Sequence, residues 1–327
     1  MAVNIAIIGM GQIGTSIGLA LAAHTDKIRR IGLDKDASVT QKAKSMGAVD
    51  AVSYNLPSMV EEAGVVLFCM PFDEVESTLK VIAPDLREGS VLLDFSPVKA
   101  PVAAWFEHYV PKGRYFVGMV PSINPAYLRE EPIGIEAAHA DLFKRTTMGI
   151  AAPIGTVEGA LALATDLATL LGASPLFMDI AEADGLMAVS HLLPQLVSSS
   201  LLNATVDQAG WREARKLTGR PYHAATAGEF DYPSALAQAA LANRQNTLRA
   251  LDVTLAALKG LRDAIESDDA DGVSARLDAS LTAREKWLKE RTTADWLDQE
   301  IARPQTPSLG NIFQRMFGTS LTDKKKK

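Results

Sequence analysis

The feature that most constrains this chain is a glycine pattern set directly behind an apolar run, Ile5-Ala6-Ile7-Ile8-Gly9-Met10-Gly11-Gln12-Ile13-Gly14. The run is short, rich in β-branched residues and ends at a glycine, so it reads as a buried strand of a parallel sheet. Gly9 permits a tight turn, Gly11 lets the backbone approach a pyrophosphate, and Gly14 lets the following helix pack close to the strand. Gln12 and Ile13 open that helix, whose free N–H groups and dipole favour phosphate. A second strand over 28–33 ends in Asp34, about 20 residues beyond Gly14, where a carboxylate accepting from the adenosine ribose is expected. Asp34 repels a 2′-phosphate, which predicts NAD in preference to NADP; Lys35 and the Arg29–Arg30 pair pull the other way.

Further apolar strands fall at 65–70, 91–94, 115–119 and 148–151, with helical patterns at 13–23, 37–46 and 74–82 between them. That alternation predicts an α/β Rossmann domain, doubly wound with a mainly parallel sheet, over residues 1–155. Ligands collect at the carboxyl ends of such strands, which points to Met70 and Pro71, to 94–99 with Ser96 and Lys99, and to 119–124 with Ser122. From residue 156 to 305 the pattern becomes that of an all-α substrate and dimerisation domain, apart from an apolar run at 175–178 that fits a last edge strand. A long helix over 181–208 carries a polar stripe, Asp184, His191, Gln195 and Ser198, at spacings that share one face. Pro194 should kink it. Buried polar groups need partners, so the stripe reads as a ligand site or as a hydrogen-bond network at a subunit contact. A polar loop at 219–223 brings Arg220, Tyr222 and His223; helices over 236–265 and 273–301 follow. Residues 306–327 form a tail whose lysine-rich end reads as disordered.

Length and composition bound the function. At 327 residues the chain suggests two domains. Thirty-three basic against 39 acidic residues give a net charge of −6 and no basic surface for nucleic acid. The one cysteine, Cys69, lies in an apolar run, so no disulfide and no metal site are expected. The N-terminus leads straight into a strand, and no apolar run reads as long enough to span a membrane. A cytoplasmic enzyme with a small-molecule substrate, and neither a nucleic-acid nor a membrane partner, is the expectation.

With these residues in view, the chain resembles the prephenate and arogenate dehydrogenase family, which joins a Rossmann domain to a helical domain that dimerises. The likeness runs from residue 3 to about 236. It is carried by the glycine fingerprint and its Ile-Gly-x-Ser-Ile-Gly-Leu-Ala-Leu continuation, by Asp94 to Val102, by Gly134 to Phe143, and by the run Ala183 to Pro194. That last run is similar to the family's His-Asp-x-x-Met-Ala-x-Val-Ser-His-Leu-Pro and falls on the polar stripe. The resemblance implies a homodimer and NAD-linked oxidation.

The chain departs from the family at the chemistry. Val120 stands where the resemblance implies a histidine base, Pro97 stands at the family serine beside Ser96, and Asp231 replaces an arginine that would clamp a carboxylate. Leu193 is an extra residue before the proline. General base catalysis is worth about 10²- to 10⁴-fold, so slow turnover of prephenate and arogenate is expected, with a cationic or hydroxyl-rich substrate group near Asp231. The candidates for catalysis are His191, then His223, Asp184 and Lys99; Gln195, Asp231, Tyr222 and Ser122 are candidate substrate contacts. His24, His108 and His139 read as surface residues. Two other classes remain open: a non-catalytic NAD(H)-binding sensor or partner subunit, and an imine or hydroxyacid reductase that would use Asp184.

Overall fold

The computed structural model describes residues 2–228 and 232–294. Its centre is an eight-stranded sheet: β1 (Val3–Ile8), β2 (Ile28–Leu33), β3 (Ala51–Val52), β4 (Val65–Phe68), β5 (Val91–Asp94), β6 (Tyr115–Pro121), β7 (Thr147–Ala151) and β8 (Ser174–Met178). The strand order is β3-β2-β1-β4-β5-β6-β7-β8, parallel except for the antiparallel β6–β7 pair. Successive residues of the inner strands point to opposite faces, and both faces are covered. Ile5, Ile7, Leu67 and Leu93 enter one core cluster, whereas Ala6, Ile8, Val66, Phe68 and Leu92 enter the other. Burial on both sides explains why these strands read as continuous apolar runs.

Helices α1 (Gln12–Ala20), α2 (Ala37–Ser45), α3 (Leu56–Glu61), α4 (Phe72–Ile82), α5 (Ala100–Tyr109) and α6 (Glu158–Leu170) flank the sheet. The expected division at residue 155 falls inside this layered part. The apolar face of α6, with Ala160, Leu163, Ala164 and Leu167, joins the core made by Val117, Met119, Met148 and Ile150. β8 then pairs in parallel with β7 from Ser174 to Met178, so the edge strand anticipated at 175–178 closes the sheet. β3 was not anticipated; two residues are too few to show a period.

Beyond β8 the described chain is helical: α7 (Ile180–Met187), a π-helical turn (Ala188–Leu192), α8 (Leu193–Val206), α9 (Trp211–Ala214), α10 (Arg220–Thr226), α11 (Pro233–Ala242), α12 (Arg244–Glu266) and α13 (Ala270–Thr293). The expected loop at 219–223 is instead the start of α10, which Pro221 suits because its missing N–H falls in the first turn. The helix expected over 236–265 is two helices that meet at Asn243. Leu192, Leu236 and Ala239 pack into the core face shared with Phe72, Val75 and Leu79 of α4, fastening the helical part to the sheet layer. Ile180–Val206 forms a continuous 27-residue helix long and apolar enough to cross a membrane by length and composition, contrary to the sequence expectation. Its outward side leaves Leu186, Val189, Val197 and Val206 exposed. Asp231 and the tail from residue 295 lie outside the described residues.

Candidate active site

The strand order reverses between β1 and β4, because β1 pairs with β2 on one side and with β4 on the other. Loops leaving these two strands diverge to opposite faces, and the crevice between them is where a ligand enters such a sheet. A cavity of about 630 Å³ opens there, lined by Gly9, Gly11, Gln12 and Ile13 after β1, Asp34 after β2, and Met70 and Pro71 after β4. Ser96 and Pro97 after β5 continue its wall, and His191 and Gln195 from the helical part complete it. Residues nearly two hundred positions apart in sequence therefore share one cavity.

The three glycines have different reasons. Gly9 sits at φ +95°, and a Cβ there would lie 2.4 Å from the Cys69 carbonyl oxygen. Gly14 is buried under the turn rather than lining the cavity; its Cβ would lie 2.0 Å from the Gly9 oxygen. At Gly11 a Cβ would meet nothing within 4 Å. Its bareness leaves room on the cavity side, where a dinucleotide's phosphates would approach.

Asp34 is held by backbone: Oδ2 accepts from Met10 N at 2.8 Å and Oδ1 from Asp36 N at 3.0 Å. The neighbouring cations are largely spoken for. Arg30 is 3% exposed and turned into the fold, donating to Asp50, Gly18 O and Gly47 O. Lys35 is ion-paired with Glu74 of α4.

Lys99, expected as a donor to substrate or nicotinamide, is wholly buried and outside the cavity lining. Its ammonium donates to Asp94 O at 2.7 Å, to Asp94 Oδ2 at 3.0 Å and to Ser96 O, which uses its three protons. Burial pushes its pKa down and the Asp94 carboxylate opposes that shift. Ser96 Oγ donates to the same carboxylate at 2.8 Å. The group shapes the β5–α5 turn that brings Ser96 and Pro97 to the cavity.

Asp184 does not face the cavity either. Only 4% exposed, it accepts from Lys99 N at 2.5 Å and Ala100 N at 3.0 Å, capping α5 across the domain junction. Burial raises its pKa against those two bonds. His191 and Gln195 do face the cavity. Gln195 Nε2 donates to His191 O at 3.0 Å and lies 3.3 Å from His191 Nε2. The His191 ring edge is open to the cavity, yet the surrounding protein mass lowers its pKa, chiefly by desolvation and secondarily through the Lys99 charge. A neutral imidazole on the wall of such a cavity can accept a proton.

The remaining candidates separate from the site. Tyr222 Oη pairs with Thr205 Oγ1 at 2.8 Å and its ring packs on Trp211, while His223 is exposed on α10; neither lines the cavity. Ser122 extends the β6–β7 pairing through its N–H to Thr147 O at 3.1 Å, and none of residues 119–124 lines the cavity. That antiparallel turn-back, invisible in the sequence, draws the segment toward β7. Val120 is locked opposite Gly149 in the same ladder. His139, read as a lone surface histidine, pairs with Glu130 at 2.8 Å and stacks on Tyr127 at 3.9 Å between centroids. Phe95, Ile135, Tyr232 and Leu236 give the cavity its apolar wall; single apolar side chains carry no sequence signal of this kind.

Two family models match the chain: the nucleotide-binding domain of prephenate dehydrogenase over residues 17–176 and the prephenate dehydrogenase dimerization domain over residues 179–279. Among characterised proteins it is 27% identical over 286 residues to a cyclohexadienyl dehydrogenase of Zymomonas mobilis, covering 86% of this chain and 94% of that one. It is 23% identical over 274 residues to a prephenate dehydrogenase of Bacillus subtilis, covering 83% and 72%. In fold it is similar to A. aeolicus prephenate dehydrogenase solved with hydroxyphenyl propionate and NAD+, at a TM-score of 0.76 and 19% identity over 88% of this chain and 98% of that. It is also similar to Synechocystis arogenate dehydrogenase, at a TM-score of 0.67 and 22% identity over 87% and 99%.

Proposed function

This chain belongs to the prephenate dehydrogenase family, and on that premise we propose that it is an NAD-dependent dehydrogenase whose substrate has diverged from prephenate. One observation carries the reading: a single cavity runs from the glycine turn and Asp34 to Ser96, His191 and Gln195. The cavity fits a dinucleotide, since Gly11 offers bare backbone at the N-terminus of α1 and Asp34 offers a carboxylate at the ribose position. Gly9, Gly11, Gln12, Ile13, Asp34, Met70, Pro71 and Ser96 would hold it. When bound, NAD supplies the hydride acceptor.

The chain's own residues supply orientation and a proton acceptor. Ser96 and Pro97 are fixed by the buried Lys99–Asp94 pair, so that wall of the cavity is rigid. Gln195 donates to the His191 carbonyl and sets its amide beside the ring, whose neutral form carries one basic nitrogen. A substrate hydroxyl or amine reaching that nitrogen gives up its proton there as its carbon loses hydride. The apolar wall of Phe95, Ile135 and Leu236 restricts water.

Val120 cannot take a proton, and its place in the β6–β7 ladder keeps it from the cavity. Prephenate and arogenate should therefore turn over slowly, while an amine or hydroxyl-rich substrate suits Asp231 better than a carboxylate does. The domain division of this reading puts cofactor binding in the sheet layer and dimerisation in the helices. The dimerization-domain match and the uncovered apolar residues Leu186, Val189, Val197 and Val206 support a homodimer through α7 and α8. A soluble NAD-linked enzyme of this kind works in the cytoplasm. The test is a titration of the purified protein with NADH, followed by NAD reduction assays with prephenate, arogenate and a panel of amino and hydroxy acids. No NADH binding, or rapid tyrosine-sensitive turnover of prephenate, would overturn it.

A further inference from the structure

The adenosine end of the cavity holds a charge arrangement that the family match does not assign. Asp34, Lys35 and Asp36 leave the end of β2, and Glu74 and Thr78 face them from α4. Among the described residues lining the cavity, Lys35 is the only lysine or arginine. Arg30 is sequestered by Asp50 and two carbonyls, and Arg29 is absent from the lining. Among the described lining residues, Lys35 is thus the side chain with a positive charge to offer an extra phosphate.

Its ammonium is already engaged. It is ion-paired with Glu74 and lies 5.7 Å from the centroid of the Tyr232 ring, which stands just before α11. One partner comes from the sheet layer and the other from the helical part, so Lys35 is held between the two. Asp36 keeps its own charge in place by capping α2 through Ser38 N at 2.8 Å. A phosphate on the ribose 2′-oxygen would meet the carboxylates of Asp34, Asp36 and Glu74, with the one cation of the described lining already engaged. An unsubstituted ribose needs only acceptors for its hydroxyls, which Asp34 offers.

We propose that Glu74 is a cofactor-specificity residue: by engaging Lys35 it withholds the one ammonium among the described lining residues from a 2′-phosphate, so the protein selects NAD(H) over NADP(H). The proposal rests on the dinucleotide reading above and adds to it a determinant 40 residues beyond the carboxylate that ends β2. Glu74 acts through Lys35, and Tyr232 stations the ammonium on the far side of the pair.

The test is a fluorescence titration of the full chain with NADH and NADPH, comparing wild type, Glu74→Gln, and Glu74→Gln combined with Lys35→Met. Wild type should bind NADH more tightly than NADPH. Glu74→Gln should tighten NADPH roughly 3- to 10-fold, the range set by one partly exposed charge pair, with NADH affinity changed less than about 2-fold. Adding Lys35→Met should abolish the gain. An unmoved NADPH to NADH ratio in Glu74→Gln, or a gain that survives Lys35→Met, would overturn the assignment while the NADH affinity of the same samples upheld the dinucleotide reading. Failure of the wild type to bind either nucleotide would overturn both.

Discussion

The Asp184 carboxylate accepts a hydrogen bond from the backbone N–H of Lys99 at 2.5 Å, although 85 residues separate the two. With Ala100 N on its other oxygen, Asp184 closes the first turn of α5, and its own carbonyl accepts from Asn243 Nδ2 at 2.7 Å. The helix that carries His191 is thereby pinned to the β5–α5 turn that carries Ser96. Asp184→Ala would orphan two N–H groups in a buried place. A loss of about 2–4 kcal/mol is expected, read as a lower urea midpoint, with Asp184→Asn intermediate. A midpoint for the alanine variant equal to wild type would show that the junction does not depend on this cap.

Lys99 and Asp94 are both fully buried, so each is the other's counter-charge. Lys99→Met should cost about 3–5 kcal/mol because it strands the Asp94 carboxylate in the interior. Pairing it with Asp94→Asn should recover part of the loss, since the uncompensated charge is then gone. Urea unfolding of the four proteins of that cycle gives the coupling directly; additive losses would mean the two residues act separately.

Local chemistry was legible in the sequence and non-local chemistry was not. Gly9, Gly11 and Gly14 announce their turn by their fixed spacing behind an apolar run, although the close approach of the Cys69 carbonyl to Gly9 has no local sign. His191 and Gln195 were legible as i, i+4 neighbours, and they share the cavity. The spacing of Asp184 and His191 predicts one shared face, but the π-helical turn Ala188–Leu192 that contains His191 changes the helical phase, so one side chain faces α5 and the other the cavity. Lys99 looks like a solvated helix-start lysine because nothing near it in sequence says that Asp94 and Ser96 fold back over it. The Lys35–Glu74 pair, 39 residues apart, has no local signature either.

The glycine turn separates a packing role from a binding role. Gly14→Ala would drive a methyl into the Gly9 carbonyl, 2.0 Å from its ideal position, and should destabilise the fold by about 1–3 kcal/mol or more. Gly11→Ala meets no protein atom within 4 Å, so it should leave the melting temperature unchanged and crowd only a bound pyrophosphate. A drop in NADH affinity of about tenfold or more is expected for Gly11→Ala. Undiminished NADH binding by that variant would mean that the phosphates lie elsewhere.

His191 is the histidine among the described residues of the cavity lining, and its depressed pKa gives two pH dependences of definite sign. Desolvation and the Lys99 charge disfavour the imidazolium in the folded protein, so the ring is neutral at pH 7 and loses its basic function only when acid protonates it. The acid limb of kcat/KM should therefore lie below the ordinary histidine value of about 6.5. For stability, the unfolded chain binds the His191 proton more readily than the folded one between the depressed pKa and about 6.5. Stability should rise with pH through that window and fall as acid is added, and His191→Asn should flatten this part of the curve. The same variant should lower kcat by about 10²- to 10⁴-fold while leaving NADH affinity intact. If instead kcat and its acid limb persist in His191→Asn, the proton is taken by another group and His191 only shapes the cavity wall.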